Sequence, residues 1–201
     1  MIVKNARFVT SCATARAADG YSPQVCVAGR SNCGKSTLLN MLMGAKLCKT
    51  SQTPGRTRLI NIFEVSTDTR KFFLTDLPGY GFSKAHKSET DAFAERTDVF
   101  FRTSKDIAQV LCLMDVRRDP SDLDKVLINY LRDLELPFTV VLTKADKLSR
   151  AQVGNATVKI AAALGLAKGN LIVTSGLNGS GKDALLNRLD EVLAVFGEQD
   201  T

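Results

Sequence analysis

Two stretches share one chemical outline: "GRSNCGKST" (Gly29 to Thr37) and "GLNGSGKDA" (Gly176 to Ala184). Both read G-x-x-x-x-G-K, the spacing of a loop whose backbone N–H groups curl around phosphate oxygens. Such a loop works between a buried strand that delivers the glycines and a helix whose N-terminus faces the anion. "VCVAGRSNCGKSTLLNML" supplies both. Gly29 and Gly34 let the backbone turn inward, so that Arg30, Ser31, Asn32 and Cys33 line the curl. Lys35 is placed to bridge the β- and γ-phosphates, and the Ser36 hydroxyl suits Mg²⁺. In the second loop, Asp183 follows the lysine where that hydroxyl belongs. A carboxylate there caps a helix start and repels phosphate. One phosphate site is expected, and Lys182 reads as a surface charge.

Three further segments bear on the nucleotide. "TDLPG" (Thr75 to Gly79) ends a predicted strand with D-x-x-G. There Asp76 can hold the water shell of Mg²⁺, and the Gly79 N–H can sense a γ-phosphate across Leu77 and Pro78. "TKAD" (Thr143, Lys144, Ala145, Asp146) ends another strand, where open α/β sheets bind ligands. A carboxylate at Asp146 accepts from guanine N1–H and the exocyclic amine together; adenine offers a bare lone pair there and is repelled. "VTSG" brings Thr174, Ser175 and Gly176 beside the base. The polar stretch "KTSQTPGRTRL" holds two candidates for a γ-phosphate-sensing, Mg²⁺-binding hydroxyl, Thr53 and Thr57.

Positioning these loops requires strands and helices in alternation. "QVCVAG", "IAQVLCLMD", "FTVVLT" and "NLIVTS" read as strands buried on both faces. "LINIFEV" and "KFFLTDL" read as a hairpin. Helical spacing follows the first loop as far as Gly44. It recurs in "SETDAFAERTDVFFRTS", in "SDLDKVLINYLRDL" capped by Ser121, in a segment ending near Leu164, and in "GKDALLNRLDEVLAVF". The expected fold is α/β: a mostly parallel six-stranded sheet with one antiparallel edge strand and helices on both faces. Residues 1–20 are expected to be an N-terminal extension, partly ordered, and residues 21–201 a single G-domain.

The bulk composition excludes several classes. The chain has 201 residues, 44% hydrophobic and 24% charged, with a net charge of +6. That charge suits contact with polyanions and equally suits a solvated basic face. His86 is the only histidine, which excludes His-based triads and multi-His metal sites. The five cysteines are odd in number and form no C-x-x-C pair, so reduced thiols are expected. No apolar run is long enough to span a bilayer, and the opening residues lack the apolar core of a secretion signal. A cytoplasmic protein, monomeric and without membrane attachment, is the expectation.

"AGRSNCGKSTLLN", "SQTPGRTRLINIF", "TDLPGYGFSKA", "MDVRRDPSDLDK" and "LTKADKL" together resemble the EngB (YsxC/YihA) group of bacterial GTPases, of the TRAFAC class, from Val25 to Phe196. The resemblance implies a protein that binds GTP and GDP and hydrolyses GTP, slowly if Tyr80 replaces a water-orienting Gln. It also implies a switch in assembly of the large ribosomal subunit, with rRNA or ribosomal proteins of its precursor as partners, and an association with septation and cell division. By the same resemblance Gly29 to Ser36 bind phosphates. Gly55, Arg56, Thr57, Arg58 and Leu59 form a first switch, and Ser36 and Thr57 hold Mg²⁺. Asp76 to Gly79 form a second switch, Thr143 to Asp146 read the base, and Thr174 to Gly176 flank it. Thr143 matches the family's T-K-x-D. Cys33 stands where Val is common, which matters for thiol reactivity alone, and "TSG" replaces a doubled serine.

Tyr80 occupies the position after D-x-x-G at which Ras-like enzymes carry a water-orienting Gln. Catalysis then rests on Lys35, Thr57 and Asn32, with no protein general base. In related GTPases an Asn at the Asn32 position helps hold a K⁺ ion; loop-stabilising hydrogen bonds are the plainer role for it. Two competing readings are a small-molecule kinase on the same phosphate loop, which "TKAD" opposes, and a nucleotide-dependent adaptor at the division site.

Overall fold

Three apolar runs form the centre of the sheet. In the computed structural model, which describes residues 1–12, 20–48, 59–80 and 98–198, β2 (Gln24–Gly29) and β5 (Ile107–Asp115) are buried at every position. β6 (Phe138–Thr143) is buried at all but its first residue. Strands covered on both faces have no polar side to alternate with, which is why these segments read as continuous hydrophobic stretches.

The remaining strands are β1 (Val3–Cys12), β3 (Ile60–Thr67), β4 (Lys71–Asp76) and β7 (Leu171–Val173), in the order β1-β3-β4-β2-β5-β6-β7. β4, β2, β5, β6 and β7 run parallel; β3 pairs antiparallel with β4, and β1 antiparallel with β3. The α/β class, the β3–β4 hairpin and the parallel core are as the sequence predicts. The sheet has seven strands, however: β3 alone runs against the others, and an additional edge strand, β1, pairs antiparallel with it. Two register shifts in β1, between Val3 and Asn5 and between Phe8 and Thr10, interrupt its two-residue alternation. Val3 and Ala6 therefore pack on one side of the sheet and Val9 and Cys12 on the other, a spacing that no period-2 pattern reveals.

Helices cover both faces. α1 (Lys35–Met43) and α4 (Lys182–Glu198) bury Leu38, Leu39, Leu42, Leu185, Leu189 and Leu193 against one face. α2 (Asp122–Asp133), α3 (Arg150–Ala163) and a helical turn at 98–103 bury Ile128, Leu131, Ile160, Phe100 and Phe101 against the other. The predicted Ser121 cap is present: its hydroxyl accepts from the Asp124 N–H while the Asp124 side chain accepts from the Ser121 N–H, a reciprocal capping box. Most of the segment "SETDAFAERTDVFFRTS" lies outside the described residues.

Candidate functional site

Parallel strands deliver their C-terminal ends to one edge of the sheet, so the loops after β2, β4, β6 and β7 meet there. The loop after β2 folds back sharply on itself. A Cβ on Gly29 would come within 2.7 Å of the Cys33 Sγ and 2.9 Å of the Leu113 carbonyl, so only glycine fits. Asn32 (φ 63°) and Gly34 (φ 105°) take left-handed conformations that turn the chain into α1. Lys35 opens that helix and its Nζ lies 3.9 Å from Asp76 Oδ1 at the end of β4. Ser36 follows, half-buried on the first turn.

Asp76 is 5% exposed, and its Oδ1 makes no hydrogen bond among the described residues. Burial raises its carboxyl above the usual range, with the Lys35 ammonium and the Asn61 amide opposing the rise. Asn61, on β3, is itself oriented by Ser11 of β1, whose hydroxyl donates to Asn61 Oδ1 at 2.7 Å and so leaves the amide N–H for Asp76. A buried carboxylate oxygen without a donor is a site in want of a cation or its water shell. The residues present therefore fit Mg²⁺. The Asn61–Ser11 support had no sequence signal, because it joins residues 50 positions apart.

The D-x-x-G segment continues β4 alongside the phosphate loop. The Leu77 N–H donates to Val27 O at 3.1 Å, the Tyr80 N–H to Gly29 O at 3.3 Å, and the Ser31 N–H to Tyr80 O at 3.0 Å. Leu77 is buried, Pro78 and Gly79 half-buried. Arg30 pairs with Tyr80 in this short parallel bridge.

At the other end, Thr143 closes β6 and donates its hydroxyl to Cys33 O at 2.5 Å and to Met114 O at 3.1 Å. A hydroxyl thus ties the base strand to the phosphate loop. Lys144 (φ 61°) donates to Asn32 O at 2.6 Å and lies 3.0 Å from Asp115 Oδ2. Burial pushes the Asp115 carboxyl up, but Arg117 and Lys144 more than offset it and hold it well below the usual carboxylate range. Ser175 donates to Asp146 Oδ1 at 2.6 Å; that bond, with Lys147 beside it, lowers the Asp146 carboxyl against a smaller effect of burial. Asp146 is therefore ionised at neutral pH, as a guanine acceptor must be. The single serine of "TSG" thus makes a side-chain contact of its own. Thr174 donates to Leu142 O, and the Ala145 N–H donates to Thr174 O. Gly176 packs against Thr37 of α1, where a Cβ would sit 2.7 Å from the Thr37 methyl.

The second G-x-x-x-x-G-K stretch is a connection. Most of its N–H groups are already spent: Leu177 and Asn178 donate to the Ser175 hydroxyl, Gly179 to Ser175 O, Ser180 to Asn178 Oδ1 and Lys182 to Gly179 O. Gly181 (φ 76°) is required because a Cβ there would run into the Val173 carbonyl. The Cys33 thiol is 4% exposed and pushed up to about 11 by burial, so its thiol lacks the reactivity its place in the loop suggests. Leu59 is exposed just before β3. Thr53, Gly55, Arg56, Thr57 and Arg58 lie outside the described residues.

Fold and site together are those of a P-loop GTPase domain. The family model described as "50S ribosome-binding GTPase" matches residues 24–144. The probable GTP-binding protein EngB of Caldanaerobacter subterraneus is 37% identical over 195 residues, covering 96% of this chain and 99% of its own. That of Thermoanaerobacter pseudethanolicus is 40% identical over 175 residues, covering 87% and 86%. A crystal structure of a probable GTP-binding protein engB superposes with TM-score 0.68 at 26% identity, covering 85% of this chain and 98% of that one. The chain belongs to the EngB family of GTP-binding proteins and is a GTPase.

Proposed function

We propose that this GTPase is a magnesium-dependent switch that acts in assembly of the large ribosomal subunit. The observation that carries the nucleotide part is the convergence of Lys35, Asp76, Thr143, Lys144 and Asp146 on one sheet edge, where an ion pair joins the first two and hydrogen bonds tie the others to the phosphate loop and to Ser175. Gly29 to Ser36 cradle the phosphates. Ser36 and Thr57 hold Mg²⁺, with Asp76 bonding its water shell. The ion supplies positive charge to the β- and γ-phosphate oxygens. Among the described residues no three His, Cys, Asp or Glu side chains gather as a metal site, in keeping with a cation held by hydroxyls, water and phosphate. Asp146 reads guanine N1 and N2, Lys144 lies along the base, and the Gly176 N–H faces O6, since the Thr174 and Ser175 N–H groups donate within the protein.

Hydrolysis by this site is slow. Tyr80 stands where a water-orienting Gln would be, and a phenol lacks the carboxamide that holds the attacking water. We assign the missing positive charge to a K⁺ ion on the Asn32 carboxamide. Turnover in KCl should then exceed turnover in NaCl by at least about tenfold, the rate effect of a single well-placed charge in a water-poor site. Equal rates in the two salts leave Asn32 with a conformational role only, which its left-handed backbone already supports.

The ribosomal part is supported by the match to a family described as ribosome-binding GTPases and by the surplus of six positive charges. No described helix is long and apolar enough to cross a membrane. A cytoplasmic monomer acting on rRNA or ribosomal proteins of a subunit precursor accommodates all of this, and a bearing on septation and cell division follows from it indirectly. Sedimentation of the protein with large-subunit particles tests the reading. Protein loaded with a non-hydrolysable GTP analogue should co-sediment and protein loaded with GDP should not, and the binding should fall steeply with salt. Co-sedimentation indifferent to nucleotide would favour a plain adaptor.

A further inference from the structure

Tyr80 and Asp124 are 44 residues apart, and neither has a place in the phosphate or base contacts described above. Asp124 is 4% exposed and fully committed: its Oδ2 accepts from the Ser121 N–H at 2.8 Å and the Ser121 hydroxyl at 2.7 Å, and its Oδ1 accepts from Tyr80. The bond to Tyr80 thus pins the second switch segment to the capped N-terminus of α2. Two backbone bonds hold the same residue from the other side, one to Gly29 and one from Ser31.

This pinned segment lies where a third phosphate has to go. A single carbon added to Gly79 would meet Ser31 Oγ at 2.9 Å, the Ser31 N–H nitrogen at 3.2 Å and Lys35 Nζ at 3.3 Å. The Ser31 Oγ and Lys35 Nζ ends can swing aside but the Ser31 backbone nitrogen cannot, so a phosphoryl group placed between the Gly79 backbone and the phosphate loop has to push Gly79 back. The diphosphate of GDP ends inside the loop and leaves Gly79 where it is. GTP has to lift Gly79 and Tyr80 away, which breaks the Ser31–Tyr80 bond and strains or breaks the phenol–carboxylate bond.

We propose, on the GTPase reading given above, that Tyr80 and Asp124 form a latch that sets the protein's preference between GDP and GTP. The Tyr80 hydroxyl, donating to Asp124, holds the second switch closed over the γ-phosphate position; GTP binds at the expense of that bond and GDP does not. Tyr80 is in this sense a positioning residue. It touches no nucleotide and acts through Gly79. Release of the latch also frees one oxygen of the α2 cap, so the N-terminus of α2 reports which nucleotide is bound.

The test compares affinities for GDP and for a non-hydrolysable GTP analogue, both with Mg²⁺, in the full chain and in Tyr80→Phe. Loss of one hydrogen bond to a carboxylate should raise affinity for the GTP analogue by about tenfold while GDP stays within about twofold. Arg132→Ala, which removes the ties from the far end of α2 to the Leu164 and Gly165 carbonyls, serves as the control for loosening of α2: it should lower the melting temperature and leave the affinity ratio unchanged. A second readout uses the chain's three tyrosines, Tyr21, Tyr80 and Tyr130. With 3-fluorotyrosine incorporated, the ¹⁹F resonance lost in Tyr80→Phe should move when the GTP analogue binds and hold still with GDP. Equal affinity changes for both nucleotides, the same ratio change in Arg132→Ala, or a Tyr80 resonance indifferent to the third phosphate would each overturn the latch while leaving the GTPase reading intact. A wild-type chain that binds neither nucleotide would overturn both.

Discussion

Asp146→Asn is expected to weaken GDP and GTP by about 10² to 10³-fold and to transfer the preference to xanthosine nucleotides. On the proposed reading the carboxylate accepts two hydrogen bonds from guanine, and a charge-assisted pair of this kind is worth about twice a neutral one. Asparagine keeps the shape but presents one acceptor and one donor. Its donor then faces the guanine 2-amine, another donor, so one contact is lost and a repulsion replaces it. Xanthine carries a carbonyl at that position and accepts. The Ser175 hydroxyl, 2.6 Å from Asp146 Oδ1, can still donate to the amide oxygen, so the loop after β7 keeps its anchor and the fold is unaffected. The check is calorimetry of the variant with GDP and xanthosine diphosphate, alongside an unchanged melting temperature without nucleotide.

Asp76→Asn should move activity and stability in opposite directions. GTP hydrolysis should fall by about 10²-fold or more, because a neutral amide holds the water shell of Mg²⁺ poorly and leaves the γ-phosphate charge less well compensated. The nucleotide-free protein should become more stable at pH 7. Burial raises the Asp76 carboxyl in the folded chain, so its ionised form is disfavoured there relative to the unfolded chain. A raised carboxyl contributes stability that is present below the unfolded value, near pH 4, and is lost as pH rises through the folded one. The wild-type apo protein should accordingly gain stability on mild acidification from this group, and the asparagine variant should lack that gain. Lys35 loses a partner in the variant. Its side chain is 12% exposed against 7% for Asp76, so solvent compensates part of that loss. A net gain of about 1 kcal/mol corresponds to a rise in melting temperature of about 2–4 °C for a domain of this size. Melting curves at pH 5 and pH 7 check the sign, and a malachite-green assay checks the rate.

The same site shows what a linear sequence can carry. Gly29, Lys35 and Asp76 were legible because each requirement is local: a glycine where the chain doubles back, a lysine at a helix start, a carboxylate at a strand end. Rejecting the second G-x-x-x-x-G-K loop rested on Asp183 alone. The packing reason, Gly181 against the Val173 carbonyl, exists only in the folded chain. The central strands announced themselves by burial on both faces, whereas β1 did not, because its register shifts mix the two faces within ten residues. Polar ties across the sheet were invisible for a different reason. Ser11–Asn61, Thr143–Cys33 and Tyr80–Asp124 join residues from 44 to 110 positions apart, and no spacing rule links such pairs. Thr143 illustrates the gap: its letter agreed with a base-reading motif, while its hydroxyl holds the phosphate loop in place.

All of this depends on one pocket that selects guanine at Asp146 and grips phosphate at Lys35. Titration calorimetry of the wild-type chain with GDP and ADP, repeated on Asp146→Asn with xanthosine diphosphate added, measures that directly. The account predicts GDP binding at least about 10²-fold tighter than ADP in the wild type, and a preference for the xanthosine nucleotide in the variant. Equal affinity for GDP and ADP, or a variant that keeps the wild-type order, would contradict it.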